Sequence, residues 1–306
     1  MDAAIRQSLR ELQTTDNLSG FGKILGHYIV IGIAVALAKL SFWLYPVALL
    51  LIGSRLRALD NLSHEAFHNQ VFKSSFLNDW ITSIFCAFPV HISIGVLRKI
   101  HREHHVHIGD SERDPNLPKY AHLPLPRHQR NWHLFRVLSG AYQFRKSLNA
   151  YAQSFLSPAS RVELVARILF WLTIILLVSA VGLWQDFLLF YVVPLLTTYA
   201  AIRQLVNMSE HMLDTSVPYF TRNIMCHPIL QFLMFPHADH LHLIHHLNSA
   251  IPGSRLRTAH QLLLADPEYA YLPSFEGYFF GENSFLAWAF QDIESQPLSQ
   301  AISVKA

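Results

Sequence analysis

From Ile24 to Gly53 the chain is almost unbroken in its apolar character, and a second stretch of the same kind runs from Val165 to Val206. No other feature constrains the fold as much. A bilayer core about 30 Å thick is crossed by roughly 20 helical residues, so each stretch has length enough for two crossings. In hydrocarbon every backbone amide and carbonyl must find its partner within the protein, which apolar runs of this length achieve as helices. Lys39, Ser41 and Pro46 mark the middle of the first stretch, with Trp43 and Tyr45 as interface anchors. Gln185 and Asp186 mark the turn in the second, and Pro194 is tolerable inside a helix bundle. The expectation is an all-α integral membrane protein whose four transmembrane helices, in two hairpins, occupy about residues 24–41, 42–60, 165–184 and 187–206.

Composition agrees. Of the 306 residues 51% are apolar and 15% charged, against roughly a quarter charged in an average soluble domain. No Gly/Ser-rich linker, charge block or internal repeat divides the chain, so residues 1–306 read as a single domain. A net charge of +3, with basic residues scattered beside apolar segments, argues against nucleic acid as a partner. Cys86 and Cys226 are too few for a disulfide framework and read as buried small side chains facing a reducing compartment. The opening MDAAIRQSLRELQ lacks the parts of a secretory signal, so the first apolar run is expected to be retained.

Arg6, Arg10 and Lys23 precede the first span; Arg55, Arg57, Lys73, Arg98 and Lys99 follow the second; the turn near Asp186 has no basic residue. By the positive-inside rule both termini and the long middle segment are expected on the cytoplasmic side. The apolar segments Trp80–Leu97 and Ile224–Phe235 are expected to be interfacial or re-entrant. A crossing at the first of them would put two histidine clusters on opposite sides of the bilayer.

Those clusters are His64-Glu-Ala-Phe-His68, His101-Arg-Glu-His104-His105 and His242-Leu-Ile-His245-His246. Spacings of three and four residues put their imidazoles on one face of a helix. Asn207-Met-Ser-Glu-His211 repeats the four-residue spacing at the end of the last span. A lone histidine is more often a hydrogen-bonded polar side chain than a ligand, but two copies of HxxHH beside an HxxxH are a joint pattern. Eight imidazoles from three clusters exceed the four positions of a tetrahedral site, which implies two metals. Ligand type alone leaves iron, copper, nickel and zinc open. Counting about 1.5 Å per residue from Phe42 and from Phe187 brings His64 and Asn207 to the same interface. A histidine-lined metal transporter is the competing reading, but it would place ligands within the bilayer depth rather than flanking it.

The ordered set HxxxH, HxxHH, HxxHH resembles the membrane fatty-acid desaturase and hydroxylase superfamily. The likeness extends to Asn69 and Phe72 after the first cluster, to Gly109, Arg113, Asp114 and Pro115 after the second, and to Leu247, Pro252 and His260 after the third. HREHHVHIGDSERDPNL is most similar to the bacterial subgroup that includes dihydrorhizobitoxine desaturase. The resemblance implies a four-span bundle under a cytoplasmic histidine-rich cap with interfacial helices, in a bacterial inner membrane or its equivalent. It implies a di-iron centre with His64, His68, His101, His104, His105, His211, His242, His245 and His246 as direct ligands and Asn207 bound through a water. O2 would be the co-substrate and an aliphatic acyl chain on a lipid, carrier protein or coenzyme A the substrate. Desaturation is the favoured outcome; hydroxylation of an acyl, alkane or carotenoid substrate by the same ligand set is the alternative. No cytochrome b5-like HPGG motif stands at either end, so electrons are expected from a separate ferredoxin or cytochrome b5-type donor. The three residues inside the first cluster depart from the longer spacing of animal acyl-CoA desaturases.

Glu65, Glu103 and Glu210 each adjoin one of these histidines, which fits either an orienting partner for an imidazole N–H or a solvated carboxylate. His107 and His240 read as neighbours of the site rather than ligands, and His27, His91, His122, His128, His133, His227 and His237 lie outside the motifs. Arg127, Arg130, Arg136 and Arg145 fit an acidic ferredoxin or acyl-carrier partner, or, as the preferred reading, positive-inside contact with anionic lipid.

Overall fold

The computed structural model describes residues 2–139, 149, 152, 156–214 and 217–291; Arg145 lies outside them. It is helical, with two-residue strands Leu125–Pro126 and Phe290–Gln291 paired in parallel. Four helices, Leu18–Leu40, Phe42–Phe67, Arg161–Val181 and Trp184–Glu210, are long and apolar enough to cross a membrane.

Local chemistry sets their ends. The first helix stops where Ser41 becomes extended, and the second starts through the turn Phe42–Leu44 with Pro46 in its opening turn, where a missing amide hydrogen costs nothing. The third starts at Ser160, whose hydroxyl accepts the Glu163 amide, and stops at Gly182 with φ 72°. Only glycine adopts that left-handed cap readily. The fourth widens into π-helical turns at Leu188–Val192 and Leu195–Tyr199, on either side of Pro194. Proline lacks the amide hydrogen and crowds the preceding carbonyl, and the wider turns absorb both effects.

Two bounds differ instructively from the hydropathy reading. The second helix does not stop near residue 60 but runs on to Phe67, and the fourth continues past 206 to Glu210. Apolarity ends before the helices do, because their last turns are buried in the cap rather than in lipid: Arg55, Arg57, Asp60 and Glu65 are all buried. Arg55 packs over the Phe232 ring at 3.8 Å, and Arg57 joins Asp239, so neither is a free surface charge.

Lys39 Nζ meets Asp186 Oδ2 at 2.5 Å, which brings the tips of the two hairpins together at one end of the bundle. Between them the second and fourth helices cross closely. A Cβ on Gly53 would stand 2.1 Å from Thr198 Oγ1 and 2.7 Å from the Tyr199 amide nitrogen, so only glycine permits this approach. Leu169, Leu172, Leu176 and Leu177 of the third helix are exposed, a continuous apolar surface that water would not tolerate and acyl chains would cover.

Helices Ser75–Val90 and Ile94–His107 meet at 88°. His91, in the left-handed region at φ 59°, makes the corner and stacks on Trp171 at 4.8 Å. The chain turns there and returns towards the end of the second helix. Ile224–Phe235 forms only the short helix Pro228–Met234, far below spanning length.

Candidate metal centre

Four separate chain segments bring their imidazoles to one place. The last turn of the second helix supplies His64, with His68 just beyond it; Ile94–His107 supplies His101, His104 and His105. His211 follows the fourth helix, and the short helix His242–Leu247 supplies His242, His245 and His246. His64, His68, His101 and His245 offer nitrogen atoms within 4.8 Å of one another, as do His104, His211 and His246. His105 joins the first group, its Nε2 lying 2.8 Å from His101 Nε2 and 3.2 Å from His245 Nε2. His242 joins the second, with Nε2 3.2 Å from His211 Nε2.

Hydrogen bonding on the far side of two rings tests whether a cation fits. His104 Nδ1 lies 2.8 Å from Asp114 Oδ1, and His211 Nδ1 lies 3.3 Å from the Tyr219 carbonyl oxygen. A carboxylate and a carbonyl only accept, so both imidazoles carry their hydrogen on Nδ1 and present bare lone pairs on Nε2. Those two Nε2 atoms are 2.9 Å apart. Facing lone pairs repel unless a cation lies between or beside them. His68 Nε2 and both ring nitrogens of His246 are buried without a hydrogen-bond partner among the described residues, which costs free energy in a protein and is relieved by coordination. Burial first, and the adjacent imidazoles after it, push His211, His242, His245 and His246 well below the ordinary histidine range. Burial and then Arg98 lower His68 to about 4. Neutral imidazole is the ligand form. The donor set therefore fits two transition-metal ions.

Asp114 was visible in the sequence only as part of a family-like run, and the structure gives it a task. Its carboxylate accepts from His104 Nδ1, from the amides of Gly109 at 3.0 Å and Asn116 at 2.8 Å, and from the Tyr120 hydroxyl. Burial alone would raise Asp114, but the hydrogen bonds of Tyr120, His104, Gly109 and Asn116 outweigh it and hold the carboxyl below its usual value. Gly109 is required for this turn: it sits at φ 77°, and a Cβ there would lie 2.2 Å from Phe220. Replacing Asp114 by asparagine is expected to weaken metal retention about 10–100-fold, read as the chelator concentration that strips half the metal. Retention within twofold of the parent would remove Asp114 from the support of the centre.

The glutamates divide. Glu103 is exposed and faces His107 at 3.6 Å, so it orients no box imidazole. Glu65 is buried and takes Lys23 Nζ at 3.3 Å. Glu210 lies 3.8 Å from Arg57 at the rim. His107 and His240 stand outside both nitrogen groups. His27 and His237, outside the motifs, face each other at 2.9 Å between Nε2 atoms, with Arg55 3.4 Å from His27 Nδ1.

A cavity of about 100 Å³ opens onto the centre. His64, His101, His104, His211 and His242 line it, and so does Asn207. Part of the wall is apolar, from Phe67, Leu97 and Ile100; another part carries Asn116, Lys119 and Arg203. A reactant placed there touches both nitrogen groups at once.

Helices of spanning length and two convergent groups of neutral imidazoles, open on one side to a cavity, define a membrane-type protein with a site for transition-metal ions. Residues 40–278 match the family model described as fatty acid desaturase, and the chain belongs to that family. It is 32% identical to dihydrorhizobitoxine desaturase of Bradyrhizobium elkanii over 87% of this chain and 81% of that protein. It is also 26% identical to an sn-1 acyl-lipid omega-3 desaturase (ferredoxin) of Synechocystis sp. over 78% of this chain and 71% of that one. The protein of that name from Nostoc sp. is 26% identical over 63% of this chain and 57% of its own length. The protein is a desaturase-type oxidoreductase that uses O2 and a metal centre.

Proposed function

We propose that the chain is a single membrane domain whose nine imidazoles hold two iron ions, that Asn207 holds a water on one of them, and that the enzyme removes two hydrogens from adjacent carbons of an aliphatic, fatty-acyl-type chain. The observation that supports this most is the pair of bare Nε2 atoms on His104 and His211, 2.9 Å apart at the wall of a cavity that also reaches His64 and His101. An all-nitrogen, thiolate-free set of this size suits non-haem iron. When bound, the metal pair supplies O2 activation and abstraction of hydrogen from an unactivated C–H bond. The chain supplies the rest. Asp114 keeps the proton on His104 Nδ1 and so fixes the ring's orientation. Phe67, Leu97 and Ile100 exclude water from one side of the cavity and hold the methylene groups. Asn207, in the last turn of the fourth helix and beside His211 in the cavity wall, presents an amide able to hold water.

Electrons come from a separate donor, a ferredoxin or a cytochrome b5-type protein; two relatives carry ferredoxin in their names. The exposed Arg127, Arg130 and Arg136 favour contact with anionic lipid over a specific acidic partner. Lys73 and Lys99 are exposed near the metal end, whereas the hairpin tips hold the Lys39–Asp186 pair. That imbalance favours a cytoplasmic active site; the membrane is a bacterial inner membrane or its equivalent. Reconstitution with a reductase, an electron donor and O2 tests the reaction. Mass spectrometry of the product is expected to read the loss of two hydrogens, and a dominant product carrying one atom of labelled oxygen would reassign the enzyme as a hydroxylase. The difference rests on positioning, since about 1.4 kcal/mol between two barriers changes the product ratio tenfold.

A further inference from the structure

Three cations line the cavity at the metal centre, and two of them are already paired. Arg57 is joined to Asp239 and lies 3.8 Å from both Asp60 and Glu210. Arg203 Nε sits 3.2 Å from Asp60 Oδ2. The Lys119 ammonium has no hydrogen bond or ion pair with a described residue, although Glu210 and Asp60 stand in the same wall.

The position of Lys119 is fixed by the metal site itself. It belongs to the short helix Leu117–Tyr120, and the next residue, Tyr120, is buried and donates to Asp114, the carboxylate that orients His104. The Lys119 backbone is therefore tied to a ligand of the centre through two hydrogen bonds, while its long side chain remains free to meet a reactant. Across the cavity stand Phe67, Leu97 and Ile100. One wall thus suits methylene groups, and the other presents an ammonium that makes no direct ion pair with a described residue, with Glu210 and Asp60 in the same wall.

Resting on the desaturase reading above, we propose that Lys119 binds an anionic group of the substrate, a carboxylate or a phosphate, and so sets which carbons of the attached aliphatic chain lie at the metals. The substrate class is an aliphatic chain whose acidic group enters the cavity with it, rather than a neutral hydrocarbon. Such a contact acts in binding and in the choice of carbon, and it leaves the ligand set untouched.

Three probes of matched chain length test this on the iron-loaded protein in lipid nanodiscs: a saturated carboxylic acid, the alkyl phosphate and the primary alcohol, each titrated calorimetrically without electron donor. At least one anion is expected to bind about tenfold or more tightly than the alcohol. Lys119→Gln is expected to erase that preference, weakening the anion to the level of the alcohol, while Lys119→Arg keeps it and both variants retain the parent's iron content. Tighter binding of the phosphate identifies a lipid or carrier phosphate as the source of the charge, and tighter binding of the carboxylate identifies a free acid. Equal binding of acid, phosphate and alcohol to the parent, binding to none of them, or an anion preference that survives Lys119→Gln overturns the proposal. Because no turnover is read, a hydroxylated product in the reconstituted assay would overturn the desaturase reading and leave this one standing.

Discussion

His104→Ala is expected to reduce turnover to background and to lower bound iron by about half, with membrane insertion unchanged. His104 provides one of the two bare Nε2 atoms, is almost wholly buried, and is the imidazole whose tautomer Asp114 fixes. Its removal takes a nitrogen donor from the group formed with His211, His242 and His246, while the group around His64, His68, His101, His105 and His245 keeps all its nitrogens. Structural metals are held by the sum of several ligand bonds, and one missing ligand with a disturbed neighbour releases the ion. His245→Ala is expected to produce the same loss of turnover with depletion of the other ion. His128→Ala serves as control, since His128 is exposed and outside both groups; it is expected to match the parent in iron and rate. Elemental analysis and product formation on detergent-purified protein check all three. Product at more than a tenth of the parent rate from His104→Ala would remove His104 from the ligand set.

The spans and the histidine boxes were legible because both depend on local spacing. Twenty apolar residues in a row and imidazoles at i, i+3 and i+4 state their own geometry. Which imidazole joins which nitrogen group is not a local property. His104 and His105 are neighbours in one box, yet their rings point into different nitrogen groups, because successive helical positions diverge and His105 turns towards His101 and His245. The 88° corner at His91 was readable only as a need for the chain to return, since it depends on Trp171 and Tyr191 from far along the sequence. Glu103 was a fair candidate to orient a ligand by adjacency, but the helix directs it to solvent. Asp114, ten residues after His104, does that work instead because Gly109 permits the turn that folds it back. Hydropathy also gave no sign that the second helix continues as far as Phe67, since a segment carrying Arg55, Arg57, Asp60 and Glu65 resembles a loop until its partners are known.

Arg57→Met is expected to destabilise the fold by about 3–5 kcal/mol. Arg57 and Asp239 are each about 95% buried and joined by a hydrogen-bonded ion pair, with Asp60 and Glu210 3.8 Å from the guanidinium. Methionine fills most of the arginine stem's volume, so the lost packing is small and the effect isolates the charge. What remains is a cluster of carboxylates, one of them deeply buried, without the cation that compensated it. Removing one partner of a buried pair is costly because the other cannot recover its hydration, whereas removing both is often close to neutral. Asp239→Asn in the same chain is therefore expected to restore most of the loss, and the two substitutions to be strongly non-additive. In detergent, the single variant is expected to melt about 10 °C below the parent at the slope typical of domains this size, and the double variant within about a third of that. Arg57 also stands seven residues before His64 on one helical face, so its loss should loosen the last turns of the second helix and lower iron retention in the single variant before it lowers helix content. A single variant that melts with the parent, or a double variant that melts no higher than the single, would show that this buried pair does not hold the cap to the bundle.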